Sequence, residues 1–362
     1  MLYSWLYPLK DYFFGFNIFR YITFRAAMAS VTAFIVSLLI GQLVIRFLHQ
    51  LNLKQCIERQ GFDKLYKAHE GKEKIPTMGG LLIIGAVVSA TLLWADLSNR
   101  YILLSLLVFV WLGIIGFVDD YLKIGRKNTK GLNAVSKFTG QLVAGLGIGL
   151  FLYLDAAHWQ AVSVPFFKNA VLALGPLYIL FAAGVLVGTS NALNLTDGLD
   201  GLAIGCTAMV ALTYAVFSYI AGHAVFSQYL QVAFIPGAGE LAVFCASLFG
   251  AGIGFLWFNS YPAAVFMGDV GSLSLGGALG VVALFVKKEL LLVVVGGVFV
   301  IEAVSVILQV ASFRLLGKRI FLMSPLHHHF QLKGIPESKV VMRFWIVSVL
   351  LALFGLAALK LQ

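Results

Sequence analysis

Five of the chain's sixteen acidic residues are Asp at the ends of long apolar runs. Asp119 and Asp120 close the run GFVDDYLK. Asp197 and Asp200 lie in NALNLTDGLDGL, and Asp269 lies in FNSYPAAVFMGDVGS. Adjacent carboxylates at the end of an apolar helix repel one another unless a cation is near. A hard dication such as Mg²⁺ relieves that repulsion, and it favours a few carboxylates together with water and phosphate oxygens. Taken singly, each site has a plainer reading. An Asp pair can be a solvated helix end, Asp197 or Asp200 can cap the next helix, and Asp269 between glycines can be a simple turn. Two Asp and two Asn within NALNLTDGLDGL exceed what one cap needs. Three acidic sites on one face favour the chemical reading.

Other polar residues gather near these sites. Asn194 belongs to the same turn as Asp197, and Lys123 follows the Asp pair by one helical turn. Asn259 and Phe266 flank Asp269 and have the chemistry to hydrogen-bond and stack on a base or sugar. SPLHHHFQLKG puts His327, His328 and His329 in a basic loop, where consecutive side chains diverge too much for all three to ligate one metal. They suit phosphates or sugar hydroxyls. Glu302 sits inside an apolar run with no evident partner, and an acid at membrane depth is paired or functional by default.

These residues must be positioned by membrane helices. The chain is 60% hydrophobic and 12% charged, about half the charge of an ordinary soluble domain. A helix needs about 20 apolar residues to cross the hydrocarbon core. Runs of that kind fall at 24–46, 78–95, 101–118, 138–154, 171–190, 201–222, 240–258, 271–286, 290–312 and 343–360. The expected fold is therefore an all-α integral membrane protein, a polytopic bundle of about ten transmembrane helices forming one domain over 1–362. No internal repeat is evident. The first 25 residues lack the pattern of a cleavable signal peptide.

Most of the 26 Lys and Arg lie in three loops, after the first, third and ninth runs. By the positive-inside rule these loops are cytoplasmic. The five Asp then sit at the cytoplasmic face, and both termini are periplasmic. The net charge of +10 reads as topology and as attraction for phosphorylated ligands, not as nucleic-acid binding. Cys56, Cys206 and Cys245 are far apart and form neither a zinc pattern nor a disulfide framework.

Carboxylates for a dication, glycine turns and cationic loops at one membrane surface suit phosphoryl transfer between a soluble molecule and a lipid headgroup. A secondary transporter is the rival from another class. Transporters place coupling carboxylates near the midplane and at repeat interfaces, which is not the pattern here.

The segments PTMGG (76–80), GFVDDYLK (116–123), NALNLTDGLDGL (191–202), FLWFNSYPAAVFMGDVGSL (255–273) and SPLHHHFQLKG (324–334) together resemble the phospho-N-acetylmuramoyl-pentapeptide-transferases. These belong to the polyprenyl-phosphate N-acetylhexosamine-1-phosphate transferases. The resemblance runs over essentially the whole chain, in order. It implies ten transmembrane helices, a cytoplasmic active site in the bacterial inner membrane and a Mg²⁺ requirement. It further implies UDP-N-acetylmuramoyl-pentapeptide as donor, undecaprenyl phosphate as acceptor, and lipid I and UMP as products. Family members are often homodimers.

Carried over residue by residue, Asp119 and Asp120 match the catalytic aspartate pair and Asp269 the Mg²⁺ ligand. Asn194 and Asp197 match further essential polar residues, and Lys72, close to Lys74, matches a catalytic lysine. Lys123, Asp200, Asn259 and Phe266 match the uridine pocket. His327, His328 and His329 match the histidine motif near donor phosphates or sugar. Which Asp acts as base or nucleophile stays open, as does a one-step against a two-step path. A sister transferase taking UDP-N-acetylglucosamine is the alternative within the class.

Overall fold

A computed structural model describes residues 1–51, 72, 75–125, 131–155, 160–167 and 171–361. In chain order the helices are α1 (Leu2–Leu6), α2 (Ile22–Gln50), α3 (Gly80–Trp94), α4 (Arg100–Gly125) and α5 (Ala134–Leu154). A hairpin follows, β1 (Ala161–Ser163) antiparallel to β2 (Val171–Ala173), with Val162 opposite Leu172. Then come α6 (Tyr178–Thr196), α7 (Leu202–Ala221), α8 (Ala224–Leu230), α9 (Leu241–Asn259) and α10 (Gly268–Phe285). The chain closes with α11 (Glu289–Val295), α12 (Gly297–Leu316), α13 (Leu326–Leu332) and α14 (Glu337–Ala358).

Among the described residues nine helices are long and apolar enough to cross a membrane, and the protein is an all-α polytopic membrane protein. The expected run 78–95 is the shorter helix α3, Gly80–Trp94. Two other runs differ from expectation. The run 171–190 begins not as helix but as strand β2. Gly175 and Pro176 then form a short 3-10 turn, and the helix starts at Tyr178 and reaches Thr196. A missing N–H makes Pro suited to a helix start, so Pro176 moves the boundary inward. The run 290–312 is two helices, α11 and α12, parted at Gly296 and Gly297. Each Gly costs a helix interior about 1 kcal/mol relative to Ala, and two in succession favour the break.

Helix α10 is the centre of the bundle, with every residue from Val270 to Phe285 buried. It packs on α4 and α6, while α9 packs on α2 and α7. Lipid tails are as apolar as Leu, so close backbone approach, not hydrophobicity, drives such packing. Gly116 of α4 shows why this matters for the site. Its Cα lies against the backbone of Asp269, where any side chain would collide with the Asp269 carbonyl. That contact brings the last turn of α4, with Asp119 and Asp120, to the first turn of α10.

Candidate active site

The end of α4 and the start of α10 bring three carboxylates together. One oxygen each of Asp119, Asp120 and Asp269 lies within 4.8 Å of the others. Asp119 and Asp120 are buried, and Asp269 is partly so. Two lysines enter the same space. Lys123 Nζ is 2.7 Å from Asp119 Oδ2, 2.9 Å from Asp269 Oδ2 and 3.8 Å from Asp120 Oδ1. Lys137 Nζ is 2.7 Å from Asp269 Oδ2 and 3.6 Å from Asp119 Oδ2. Backbone donors orient the pair: Leu132 N–H donates to Asp119 Oδ1 at 2.7 Å, and Val270 N–H to Asp120 Oδ2 at 3.3 Å.

The shifted end of α6 delivers Asn194 to the other oxygen of Asp269. Asn194 Nδ2 donates to Asp269 Oδ1 and to Ser272 Oγ, each at 2.8 Å. Asp197 follows as the C-cap of α6. Burial pushes its carboxyl up to about 8, and the negative charges of Asp269, Asp120 and Asp200 act in the same direction. The protonated form of Asp197 is therefore favoured at neutral pH. The three converging carboxylates of Asp119, Asp120 and Asp269 form a hard-oxygen donor set, which fits Mg²⁺.

A second polar group adjoins through the turn 197–201. Asp200 is buried and takes three contacts: Lys72 Nζ at 2.7 Å, Ala263 N–H at 3.1 Å, and through its own N–H the Glu337 carboxylate at 2.9 Å. Lys72 also pairs with Glu337 at 2.7 Å and faces the Tyr261 ring at 5.8 Å. Asn259 is buried between loops, accepting from Gly201 N–H at 3.0 Å and donating to Val265 O at 2.8 Å. Phe266 fixes the 76–80 segment through its backbone: its N–H donates to Pro76 O, and its carbonyl accepts from Gly79 N–H.

The structure thus brings Asp119, Asp120, Asp269, Asn194 and Lys123 into one contact group, and Lys72, Asp200 and Asn259 into another beside it. Lys123, matched by resemblance to a uridine pocket, lies over the three carboxylates. Lys74 falls outside the described residues.

The histidine run is a short helix, α13, not the open loop expected from its sequence. Pro325 precedes it and sets the helix start. The three rings diverge. His327 is fully buried, its Nδ1 3.2 Å from Glu302 Oε2, and its backbone N–H donates to Glu302 Oε1 at 3.2 Å. His328 meets Gln331 at 2.9 Å, and His329 Nδ1 accepts from Leu322 N–H at 3.1 Å. Glu302 of α12, which has no partner evident from sequence, is the counterpart of His327.

Two residues at the site escape the sequence reading. Lys137 lies in the first turn of α5, where a cation opposes the helix dipole, and that misfit was the available signal. Glu337 lies in the first turn of α14, where an acid suits the dipole, so nothing marked it out.

Residues 101–287 match the model of glycosyl transferase family 4. The chain is 52% identical over 362 residues to the phospho-N-acetylmuramoyl-pentapeptide-transferase of Citrifermentans bemidjiense, with both chains covered in full. The chain belongs to the phospho-N-acetylmuramoyl-pentapeptide-transferase family. The enzymes of that name from Nitratidesulfovibrio vulgaris and Thermodesulfovibrio yellowstonii are 54% identical over 363 residues and 53% over 365, again across the whole of each chain. The glycosyl transferase family 4 match holds both carboxylate-bearing helix ends, while the full-length likeness to the pentapeptide-transferases also takes in Lys72 and the histidine helix.

Proposed function

We infer that the protein transfers phospho-N-acetylmuramoyl-pentapeptide from UDP-N-acetylmuramoyl-pentapeptide to undecaprenyl phosphate, releasing UMP and forming lipid I. The observation that carries this reading is the meeting of Asp119, Asp120 and Asp269 at the shared end of α4 and α10, in a chain related end to end to enzymes of that name. The protein is a single transferase domain in the bacterial inner membrane. Its basic loops and its site face the cytoplasm, and both termini face outward. A homodimer is the proposed assembly.

The acceptor is a phosphate monoester, largely dianionic at neutral pH because its second pKa is near about 6. Its oxygen attacks the donor phosphorus that carries the sugar. The bond from that phosphorus to the bridging oxygen breaks, and UMP leaves with that oxygen. Two anions must approach one another, so the chain's cations have a direct role. Lys123 and Lys137 lie where they can neutralise charge that develops on the phosphates. Mg²⁺ held by Asp269, with Asp119 or Asp120, would supply Lewis-acid polarisation of the diphosphate. Asn194 holds the Asp269 carboxylate in a fixed orientation. Asp119 or Asp120 orients the acceptor or takes a residual proton. In the two-step path one of them is instead phosphorylated and then gives up the phosphosugar. Asp200, Lys72, Asn259 and Phe266 form the neighbouring group that suits the uridine, and α13 suits the sugar phosphate.

The test is UMP release by the purified protein with donor and undecaprenyl phosphate, with and without Mg²⁺. Release that depends on both substrates and on Mg²⁺ is expected. Release with UDP-N-acetylglucosamine in place of the muramoyl donor would assign the chain to the sister activity, and no release with either donor would reject the transferase reading. Asp269→Asn should lower turnover about 10³-fold, since a Lewis-acid contribution is worth several kcal/mol. Near-normal activity in that variant would remove the metal assignment.

A further inference from the structure

Behind the histidine helix lies a cavity separate from the carboxylates. Helices α12, α13 and α14 enclose about 250 Å³ there. Val298 and Ile301 of α12, Leu326 and Phe330 of α13, and Phe344 of α14 form apolar walls, and Arg343 of α14 is the one charged lining residue. Water in such a space would find few polar partners. Ile301 and Val347, which also lines it, are 48% and 42% exposed, so the cavity opens on the outward side of two weakly buried membrane helices. The natural filler on that side is hydrocarbon.

Arg343 adds a requirement. It makes no ion pair with any described residue, and Lys333 and Lys339 stand near it in sequence with no described carboxylate partner. A guanidinium at the mouth of an apolar slot, on a basic rim, selects a molecule with a phosphate at one end and a hydrocarbon chain at the other.

We propose that this cavity is a binding site for an anionic phospholipid of the surrounding leaflet, with its phosphate on Arg343 and an acyl chain between α12, α13 and α14. The site lies where it can act on the enzyme. Helix α13 has seven residues, too few to persist without packing. Leu326 and Phe330 are four apart and share a face, and that face lines the cavity. The same helix carries His327 to Glu302 and to Gly198 in the aspartate turn. An acyl chain against Leu326 and Phe330 adds to the packing of the short helix, and it steadies the histidine contact. Occupancy should therefore lower the KM for the donor more than it changes kcat. This consequence rests on the transferase reading, whereas lipid retention does not.

The test uses the full chain in nanodiscs of phosphatidylcholine with and without phosphatidylglycerol. Native mass spectrometry counts retained phosphatidylglycerol, and UMP release gives the donor KM. Retained phosphatidylglycerol and a lower donor KM are expected. Arg343→Gln should weaken retention about fivefold, the loss of one cation near a lipid phosphate, and flatten the KM response while kcat in phosphatidylcholine holds. Ile301→Phe should expel the lipid by filling the slot with Arg343 still present. Lys339→Gln, on the same rim but not lining the cavity, should retain it. Equal losses in Lys339→Gln and Arg343→Gln would mean diffuse surface attraction and overturn the proposal, as would unchanged retention in both Arg343→Gln and Ile301→Phe. Displacement of the retained phospholipid by undecaprenyl phosphate would assign the slot to the acceptor and also overturn it. Absence of UMP release in every bilayer would count against the transferase reading, and retention alone would then decide the lipid site.

Discussion

His327 and Gly198 are in contact: the imidazole Nε2 occupies the space where a side chain on Gly198 would begin. On its other side the ring meets Glu302 of α12. The turn that carries Asp197 and Asp200 is thereby braced by a histidine 129 positions further along the chain, and that histidine is braced by an acid in a membrane helix.

Gly198→Ala should act through this contact. Either the turn or the imidazole must move, and displacements near 1 Å at a reacting centre cost about 10²-fold in rate. UMP release should fall by that order while the protein still purifies as a folded species. In a His327→Ala background the collision is gone, so adding Gly198→Ala should cost little more. Additive losses in this cycle would show that the two residues act independently.

Glu302→Leu should destabilise the protein by about 3 kcal/mol, because it leaves His327 buried without its partner. Glu302→Gln keeps an acceptor for the His327 N–H and should cost distinctly less. Thermal unfolding in one detergent ranks the two variants. Equal melting temperatures would remove Glu302 from the bracing role.

Lys137→Gln should separate metal binding from turnover. Its ammonium lies 2.7 Å from the Asp269 oxygen that a dication would approach. Removing that competing charge should raise apparent Mg²⁺ affinity by about tenfold, while UMP release at saturating Mg²⁺ falls for lack of a cation on the phosphates. Titration of activity against Mg²⁺ reads both. A weaker Mg²⁺ requirement with undiminished turnover would mean that Lys137 has no part in transfer.

The Asp197 carboxyl gives a pH signature. Its value rises from 3.8 to about 8 on folding, so between these values the folded chain holds a proton that the unfolded chain has lost. Stability from this group therefore falls as pH rises through the window and levels off above about 8. Without Mg²⁺ the melting temperature should drop more steeply from pH 5 to 8 in the parent than in Asp197→Asn. Parallel curves for the two proteins would exclude the shift.

The helices were legible because long apolar runs need no tertiary information, and the three acidic motifs were legible because carboxylates are rare in such a chain. Boundaries followed local chemistry that hydropathy averages away. Pro176 moved the start of α6, and Gly296 with Gly297 split a run that reads as continuous. The site was readable as a set of residues but not as a pattern of pairs. Lys123 next to Asp119 is implied by helical spacing, yet Lys137 on Asp269 and Glu337 on Lys72 depend on how helices far apart in sequence pack. Glu302 stood out as an anomaly in its helix, and only the fold supplies His327 as the answer.

Lys123 and Lys137 already balance much of the negative charge of Asp119, Asp120 and Asp269. Metalloproteins whose ligands repel one another when bare often unfold under a chelator. Here the ammonium groups act as built-in counterions, so biogenesis in the bilayer need not wait for an ion to be loaded. On the Mg²⁺ site proposed above, stripping the ion should silence this chain reversibly and leave its architecture standing.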